Sequence, residues 1–360
     1  MQSAHPIDIS TPQNPLPAWL PTATGGSVAQ PRADGSFDFG DAVGEAQAAL
    51  QHTAIFPLAQ LGSLQAQGAD VDAFLQGQLS NDIAALTAER AQLSSYNSPK
   101  GRVLAVLTLT RTGEGVRLET GAELTAALLK RLRMYVLRAK VQWTDLSASH
   151  PQLGISGPQA AALLARAGLP VPAAAWAVAS RGEIAVLRRP GTVPRYSVQA
   201  PAQQLSALWT ALAQQARAAG PAAWQLLDIL AGLPTIVAAT QEHFVAQMLN
   251  LDTLGGISFT KGCYPGQEVV ARLHYLGTLK RRMYRGYSKA ETLPGTSVYA
   301  ADGDGQAVGE VVAAAPHPQR GAALLLVLQT QSAGSAQLRL GTADGAALEV
   351  EPQSGPDQPA

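Results

Sequence analysis

The sequence predicts an α+β protein of more than one unit that ends in a small antiparallel barrel or sandwich. Three observations carry this expectation. A chain of 360 residues has length for two or three domains at roughly 100–200 residues each. From Val71 to Ala218, helical and strand-like periodicities alternate at short intervals, the mark of mixed α and β structure. Beyond Lys280 the texture changes to short β-like segments separated by Gly, Pro and Asp turns.

The elements follow in chain order. Val71, Phe74, Leu75 and Leu79 fall at helical spacing, with Asp70 placed to cap the first turn. Ala91–Tyr96 and Arg102–Thr110 read as strands around Asn97-Ser98-Pro99-Lys100-Gly101, whose Pro and Gly suit a hairpin loop. Ala122–Arg133 reads as a helix through Leu124, Leu128 and Leu132, and Tyr135–Trp143 as a strand. From His150 the pattern restarts: Ile155, then Gly157-Pro158 and a helix to about Ala167. Strands near Glu183–Arg188 and Tyr196–Val198 precede a helix over Gln203–Ala218. The closing β segments are Arg282–Ser288, Ser297–Tyr299, Gly309–Ala313, Ala323–Gln329, Gln337–Leu340 and Leu348–Glu351. No fixed-period repeat is present.

Composition bounds the function. The 46% apolar and 14% charged content is that of a globular chain. Lys+Arg and Asp+Glu balance at 26 each, which excludes a generally basic nucleic-acid coat and leaves only local patches. One cysteine excludes an internal disulfide framework. It equally excludes a zinc site or iron–sulfur cluster held by this chain's thiolates alone. The expectation is a reduced, cytoplasmic protein with no membrane partner, since the longest apolar run, Ala322–Leu328, is far shorter than the ~20 residues a spanning helix needs. Residues 1–50 carry Pro6, Pro12, Pro15, Pro17, Pro21 and Pro31 and lack the pattern of a secretory signal. They are expected to be a flexible extension, as is the tail 353–360.

The most constrained stretch is Gly255-Gly256-Ile257-Ser258-Phe259-Thr260-Lys261-Gly262-Cys263-Tyr264-Pro265-Gly266-Gln267-Glu268. Its glycines and proline describe a backbone that turns tightly and leaves its amides accessible. A short helix from Gln267, ended by Gly277, would put Cys263 just ahead of a helix N-terminus and two residues from Lys261. Both the terminus and the ammonium favour a thiolate. A Gly-rich turn with an inert buried cysteine fits the same residues. The stretch is not a phosphate loop, because the G-x-x-x-x-G-K-[ST] order is absent. Two basic clusters, Lys130/Arg131/Arg133/Arg138/Lys140 and Lys280/Arg281/Arg282/Arg285, fit either an anionic partner or charged solvated faces.

Lys261-Gly262-Cys263-Tyr264-Pro265-Gly266-Gln267-Glu268, followed by Val269-Val270-Ala271-Arg272, resembles the signature of the YgfZ family of folate-binding proteins, relatives of the aminomethyltransferase of the glycine cleavage system. Phe74-Leu75-Gln76-Gly77-Gln78 with Asn81-Asp82, Ser98-Pro99-Lys100-Gly101-Arg102, Tyr135–Val141 and Ala231-Gly232-Leu233-Pro234 extend the resemblance from about Leu58 to Val350. It implies two intertwined ferredoxin-like folate-binding units plus a C-terminal antiparallel β-barrel. Unit 1 would be 51–150 completed by 221–279, unit 2 would be 151–220, and the barrel 280–352. The implied function is a tetrahydrofolate-binding accessory factor for iron–sulfur protein assembly or repair, indirectly supporting tRNA modification. Its partners would be folate and iron–sulfur assembly or client proteins, with no stable nucleic-acid binding and no resident metal.

The resemblance also implies site residues. Cys263 would be a reactive or cluster-bridging thiolate with Lys261 tuning its charge. Tyr264, Gln267 and Glu268 would order the loop or contact ligand, and Trp224 and Arg272 would help line the pocket. The chain departs from its relatives in three places. No aromatic stands near Gln60–Leu61, where a second tryptophan is expected. Leu230 occupies the place of a glutamate, with Asp228 the nearest carboxylate but two residues away on a helix. Asn97 to Gly113 contains no Asp or Glu, where the aminomethyltransferases carry a catalytic Asp pair. Glycine-cleavage chemistry is therefore not expected, and the alternative is a folate-dependent one-carbon transferase with an unrecognised base.

Overall fold

The structure is a computed structural model that describes residues 16–21, 28–32, 36–301, 303, 305–334 and 337–352. The expected flexible tail at 353–360 lies outside the described residues, as do 1–15. The first 50 residues are not all extension, however. Strands β1 (Gln30–Pro31) and β2 (Phe37–Asp38) pair antiparallel, and α1 (Ala42–Gln51) is a capped helix whose Asp41 side chain accepts from the Gly44 amide. Ala46, Ala48 and Ala49 are buried, so small side chains replace bulky ones at a close helix contact. The buried Glu45 carboxylate accepts backbone N–H bonds from Phe39 at 2.8 Å and Gly220 at 2.7 Å. It thereby ties this segment to the middle of the chain. Composition missed α1 because alanine carries little apolar bulk.

The main body holds two sheets whose strands interleave in sequence. Strand β3 (Ala54–Pro57) comes first but belongs to the second sheet. The first sheet then forms from β4 (Leu61–Gln67), β5 (Gln92–Asn97), β6 (Val103–Thr112), β7 (Gly115–Gly121) and β8 (Gln142–Asp145), in the order β5-β6-β7-β4-β8. Helices α2 (Val71–Gln76) and α3 (Ala122–Met134) cover it. The expected strand over Tyr135–Trp143 starts only at Gln142. Tyr135–Val141 instead turns, with Leu137 in the left-handed region and 88% exposed. Nor does Asp70 cap α2 through its side chain; that carboxylate accepts from the Lys140 amide at 2.7 Å and closes this turn.

The second sheet adds β9 (Gln152–Ser156), β10 (Val178–Arg181), β11 (Ile184–Arg189), β12 (Arg195–Gln199) and β13 (Arg217–Ala218), in the order β10-β11-β12-β9-β3-β13. Helices α4 (Ala160–Arg166) and α5 (Ala202–Leu212) pack on it around Trp209, Leu163 and Ile155. The expected helix to Ala218 stops at Leu212, because Arg217–Ala218 pairs parallel to β3. The chain then returns through α6 (Pro221–Leu230), whose Leu226 and Ile229 enter the core of the first sheet. This return makes the two units interdependent.

After α7 (Gln267–Leu276) the chain builds a closed barrel: β14 (Arg281–Ser288), β15 (Ser297–Ala300), β16 (Ala307–His317), β17 (Gly321–Gln329), β18 (Leu338–Leu340) and β19 (Ala346–Val350). A single turn, α8 (Thr330–Ala333), links β17 to β18. Along β17, Leu324, Leu326 and Leu328 fill the barrel, while Ala323, Leu325 and Val327 pack outward on the core of the first unit. Burial on both faces is why this strand is a continuous apolar run rather than an alternating one. Closure leaves no strand edge unpaired in this sheet.

Candidate functional site

Two places concentrate chemistry, a channel between the sheets and a hollow at the Cys263 loop. The channel follows from alternation along β7, whose Val116 and Leu118 face the core while Arg117 and Glu119 face the second sheet. Arg117 Nη1 donates to Gln199 Oε1 on β12 at 2.8 Å, and Arg189 on β11 donates to both Glu119 carboxylate oxygens. Around these bridges lie an outer chamber of about 870 Å³ and two inner cavities of about 30 and 50 Å³; the smaller cavity shares Thr110 and Arg117 with the chamber and Thr108 and Glu119 with the larger cavity.

The charges in the channel are distinct in kind. Arg117 has no carboxylate within ion-pair distance among the described residues, and its Nε has no hydrogen-bond partner. Burial pushes its pKa down. Such a cation is poised for an anion that the chain does not itself supply. Deeper in, Arg195 Nη2 stands 2.8 Å from Asp228 Oδ1, a buried ion pair. Burial raises the Asp228 carboxyl and lowers the Arg195 guanidinium, each partly offset by the other's charge. Asp228 lines the inner cavity, whereas Leu230 packs against the core.

Trp224 is fully buried, edge-on to Phe56 at 5.2 Å and under the Arg195 guanidinium at 5.1 Å. It packs with Ala219, Ala223 and Leu227 and lines none of the cavities described, so its place is that of a core anchor and not of a ligand wall. The aromatic that does face the inner cavity is Trp176. It takes φ +67°, a conformation unfavourable for a bulky residue. Two hydrogen bonds of 2.8 Å hold it there: its N–H donates to Arg188 O of the second sheet, and its carbonyl accepts from the Ala91 amide beside the first. Sequence reasoning missed Trp176 because its loop carries no periodicity. It missed Arg117 and Glu119 although their i, i+2 spacing between apolar residues is a strand signal.

At the second place, α2 and the turn after it grip the glycine-rich stretch. Ser80 Oγ donates to Gly256 O and Asn81 Nδ2 to Gly255 O, both at 2.7 Å. Lys261 Nζ donates to the carbonyls of Gln76, Leu79 and Asn81 at 2.6, 2.6 and 2.9 Å, and lies 5.1 Å from the Tyr264 ring centroid. Burial pushes the Lys261 ammonium down to about 8 and the Tyr264 phenol up to about 12. The three carbonyls take all of the ammonium's donors, so Lys261 anchors the loop and does not face the thiol. Gly266, at φ +77°, caps α7; a Cβ there would meet Gly101 Cα of the hairpin loop at 2.5 Å. Only glycine permits that approach.

Cys263 is exposed, not buried, at a hollow of about 540 Å³. Tyr264, Gln267 and Glu268 line it together with Tyr96, Asn97, Arg131 and Tyr135; the sequence named Arg131 only within a basic cluster and Asn97 only in the hairpin loop. Arg272 is exposed on α7 and lies outside the lining. Asn97 is 1% exposed, and neither atom of its side-chain amide has a hydrogen-bond partner. The two places are therefore separate: the candidate thiol and loop residues gather at one, and Trp224 at neither.

The fold has counterparts among known proteins. A family model described as the GCVT N-terminal domain matches residues 17–252. The tRNA-modifying protein YgfZ of Colwellia psychrerythraea is 32% identical over 238 residues, covering 66% of this chain and 72% of the relative. That of Yersinia pseudotuberculosis is 35% identical over 230 residues, covering 63% and 68%. The crystal structure of glycine cleavage system aminomethyltransferase T from Bartonella henselae aligns over 92% of each chain with a TM-score of 0.69 at 19% identity, a likeness of fold. With the interleaved sheets and the closed barrel in place, these matches establish that the chain belongs to the YgfZ family of GCVT-domain proteins.

Proposed function

We propose that the channel binds tetrahydrofolate or another reduced folate, and that the chain serves as an accessory factor in assembly or repair of iron–sulfur proteins, supporting tRNA modification through a client enzyme. The observation that carries the reading is the channel's donor set. Arg117 offers an unpaired cation to the glutamate tail. Glu119 and Asp228 offer carboxylates to an amino-pyrimidine edge, and Trp176 a face for the bicyclic ring. The outer chamber is of cofactor size. A bound folate would supply one-carbon carriage; these residues would hold and orient it. The name of the relatives, a tRNA-modifying protein, supports the link to tRNA.

Cys263 is the thiol this reading assigns to client chemistry. Among the described residues no three His, Cys, Asp or Glu side chains are grouped to hold a metal, so a cluster touching Cys263 would take its other ligands from the client. A one-carbon transferase is disfavoured because the two inner carboxylates, Glu119 and Asp228, are ion-paired to arginine and the stretch 97–113 carries no Asp or Glu. Calorimetric titration with tetrahydrofolate tests the channel: heat of binding is expected, weakened about tenfold in Arg117→Ala, a loss of ~1.4 kcal/mol. Absence of any heat in the unaltered protein sinks the folate reading. Full iron–sulfur enzyme activity in cells carrying Cys263→Ala would sink the thiol role.

A further inference from the structure

The hollow at Cys263 has more in it than an accessible sulfur. Its floor carries Asn97, whose amide is buried and unpartnered at both ends, in a chain where buried polar atoms normally find partners. A primary amide with one free acceptor and free N–H donors matches one group above others, a peptide bond, which returns a donor and an acceptor in the same plane. On one rim stands Arg131 from α3, which makes no ion pair among the described residues and matches a carboxylate. Glu268 in the first turn of α7, also in the lining, matches an ammonium. At about 540 Å³ the space suits a short peptide and not a protein domain.

We propose that this hollow is a binding site for a low-molecular-weight peptidyl disulfide, with which Cys263 exchanges. The Cys263 thiolate attacks one sulfur of the disulfide. The S–S bond of the ligand breaks, a mixed disulfide forms between Cys263 and one peptidyl half, and the other half leaves as its thiolate. The Cys263 sulfur is oxidised to the disulfide level as the leaving sulfur is reduced to the thiolate level, so the exchange balances and no further oxidant is needed. The reverse exchange with the peptidyl thiol restores Cys263. Asn97 holds the peptide bond and Arg131 the terminal carboxylate, so both are binding residues. The consequence is a reversible cap on the thiol, independent of what fills the channel. It rests on the assignment of Cys263 as the reactive thiol.

The test uses the full reduced chain without folate and oxidised glutathione as probe, following the single adduct by intact mass. The initial rate is expected to saturate with probe concentration, and Arg131→Ala is expected to lower the second-order rate constant about tenfold. Lys130→Ala removes the same charge one residue away, outside the lining, and should leave the rate within about twofold. Asn97→Leu should lose saturation. Hydroxyethyl disulfide, which has neither peptide bond nor carboxylate, should react at one rate in all four proteins, and this arm reports loop integrity in the buried variant. A rate that rises linearly with glutathione disulfide and is unmoved by Arg131→Ala would overturn the site, leaving an exposed cysteine only. Failure of Cys263 to react with either disulfide would overturn its assignment as the reactive thiol and this proposal with it, whereas the calorimetric result for the channel would stand.

Discussion

Lys261 shows how a motif residue can act through structure. Its ammonium satisfies three carbonyls while burial lowers its pKa to about 8 from an ordinary 10.5. Because the folded pKa lies below the unfolded one, the unfolded chain binds more protons between those values, and stability rises with pH across that window. The stability difference between wild type and Lys261→Met is therefore expected to grow from pH about 8 to about 10.5, read by denaturant unfolding. At pH 7 the variant should lose about 1–3 kcal/mol for carbonyls left without a donor. Trp224 makes the opposite case. Fully buried beside Phe56 and Arg195, it should cost ~3–5 kcal/mol when cut to alanine, while Trp176→Ala should spare stability and weaken folate binding several-fold. A Trp176→Ala protein that titrates like wild type would move the ring wall elsewhere.

At the scale of elements, the hairpin loop between β5 and β6 and the turn before α7 are built to touch. Gly266→Ala places a methyl against Gly101 Cα in a left-handed conformation. It should cost at least ~1–3 kcal/mol and change the alkylation rate of Cys263, which the loop presents. Alkylation kinetics matching wild type would show that the contact does not set the loop. Much of this level was legible: the hairpin, α3, α7 with its Gly277 stop and all six barrel strands lie close to where periodicity and turn residues put them. What failed did so for physical reasons. Alanines hid α1 from any count of bulky apolar residues. The β-branched and aromatic content of Tyr135–Trp143 mimicked a strand, although Leu137 turns the chain outward. Asp228 and Leu230 stand two residues apart on a helix and so share no face. In α6 it is Leu230 that points to the core and Asp228 to the channel.

For the molecule as a whole, interdependence is the recurring fact. The Glu45 carboxylate of α1 holds Gly220 at the start of α6, and α6 in turn packs between the first sheet and the barrel. Glu45→Ala should thus lower global stability by about 1–3 kcal/mol in a single unfolding transition. Two separated transitions would show that the units fold apart. The candidate sites are equally composite. Most of the Cys263 loop was legible because its glycines, proline and cysteine are sequence-local. The channel was not, because Arg117, Trp176, Arg189 and Asp228 come from four distant segments that meet only when both sheets are in place.

Trp176 carries a last consequence. Its backbone is pinned to Arg188 on one side and Ala91 on the other, while its indole looks into the cavity. A guest pressing on that indole would load both pins together, like a peg wedged between two boards. Deuterium uptake at the Ala91 and Trp176 amides should therefore slow in concert when the cavity fills, turning one strained residue into a gauge of occupancy.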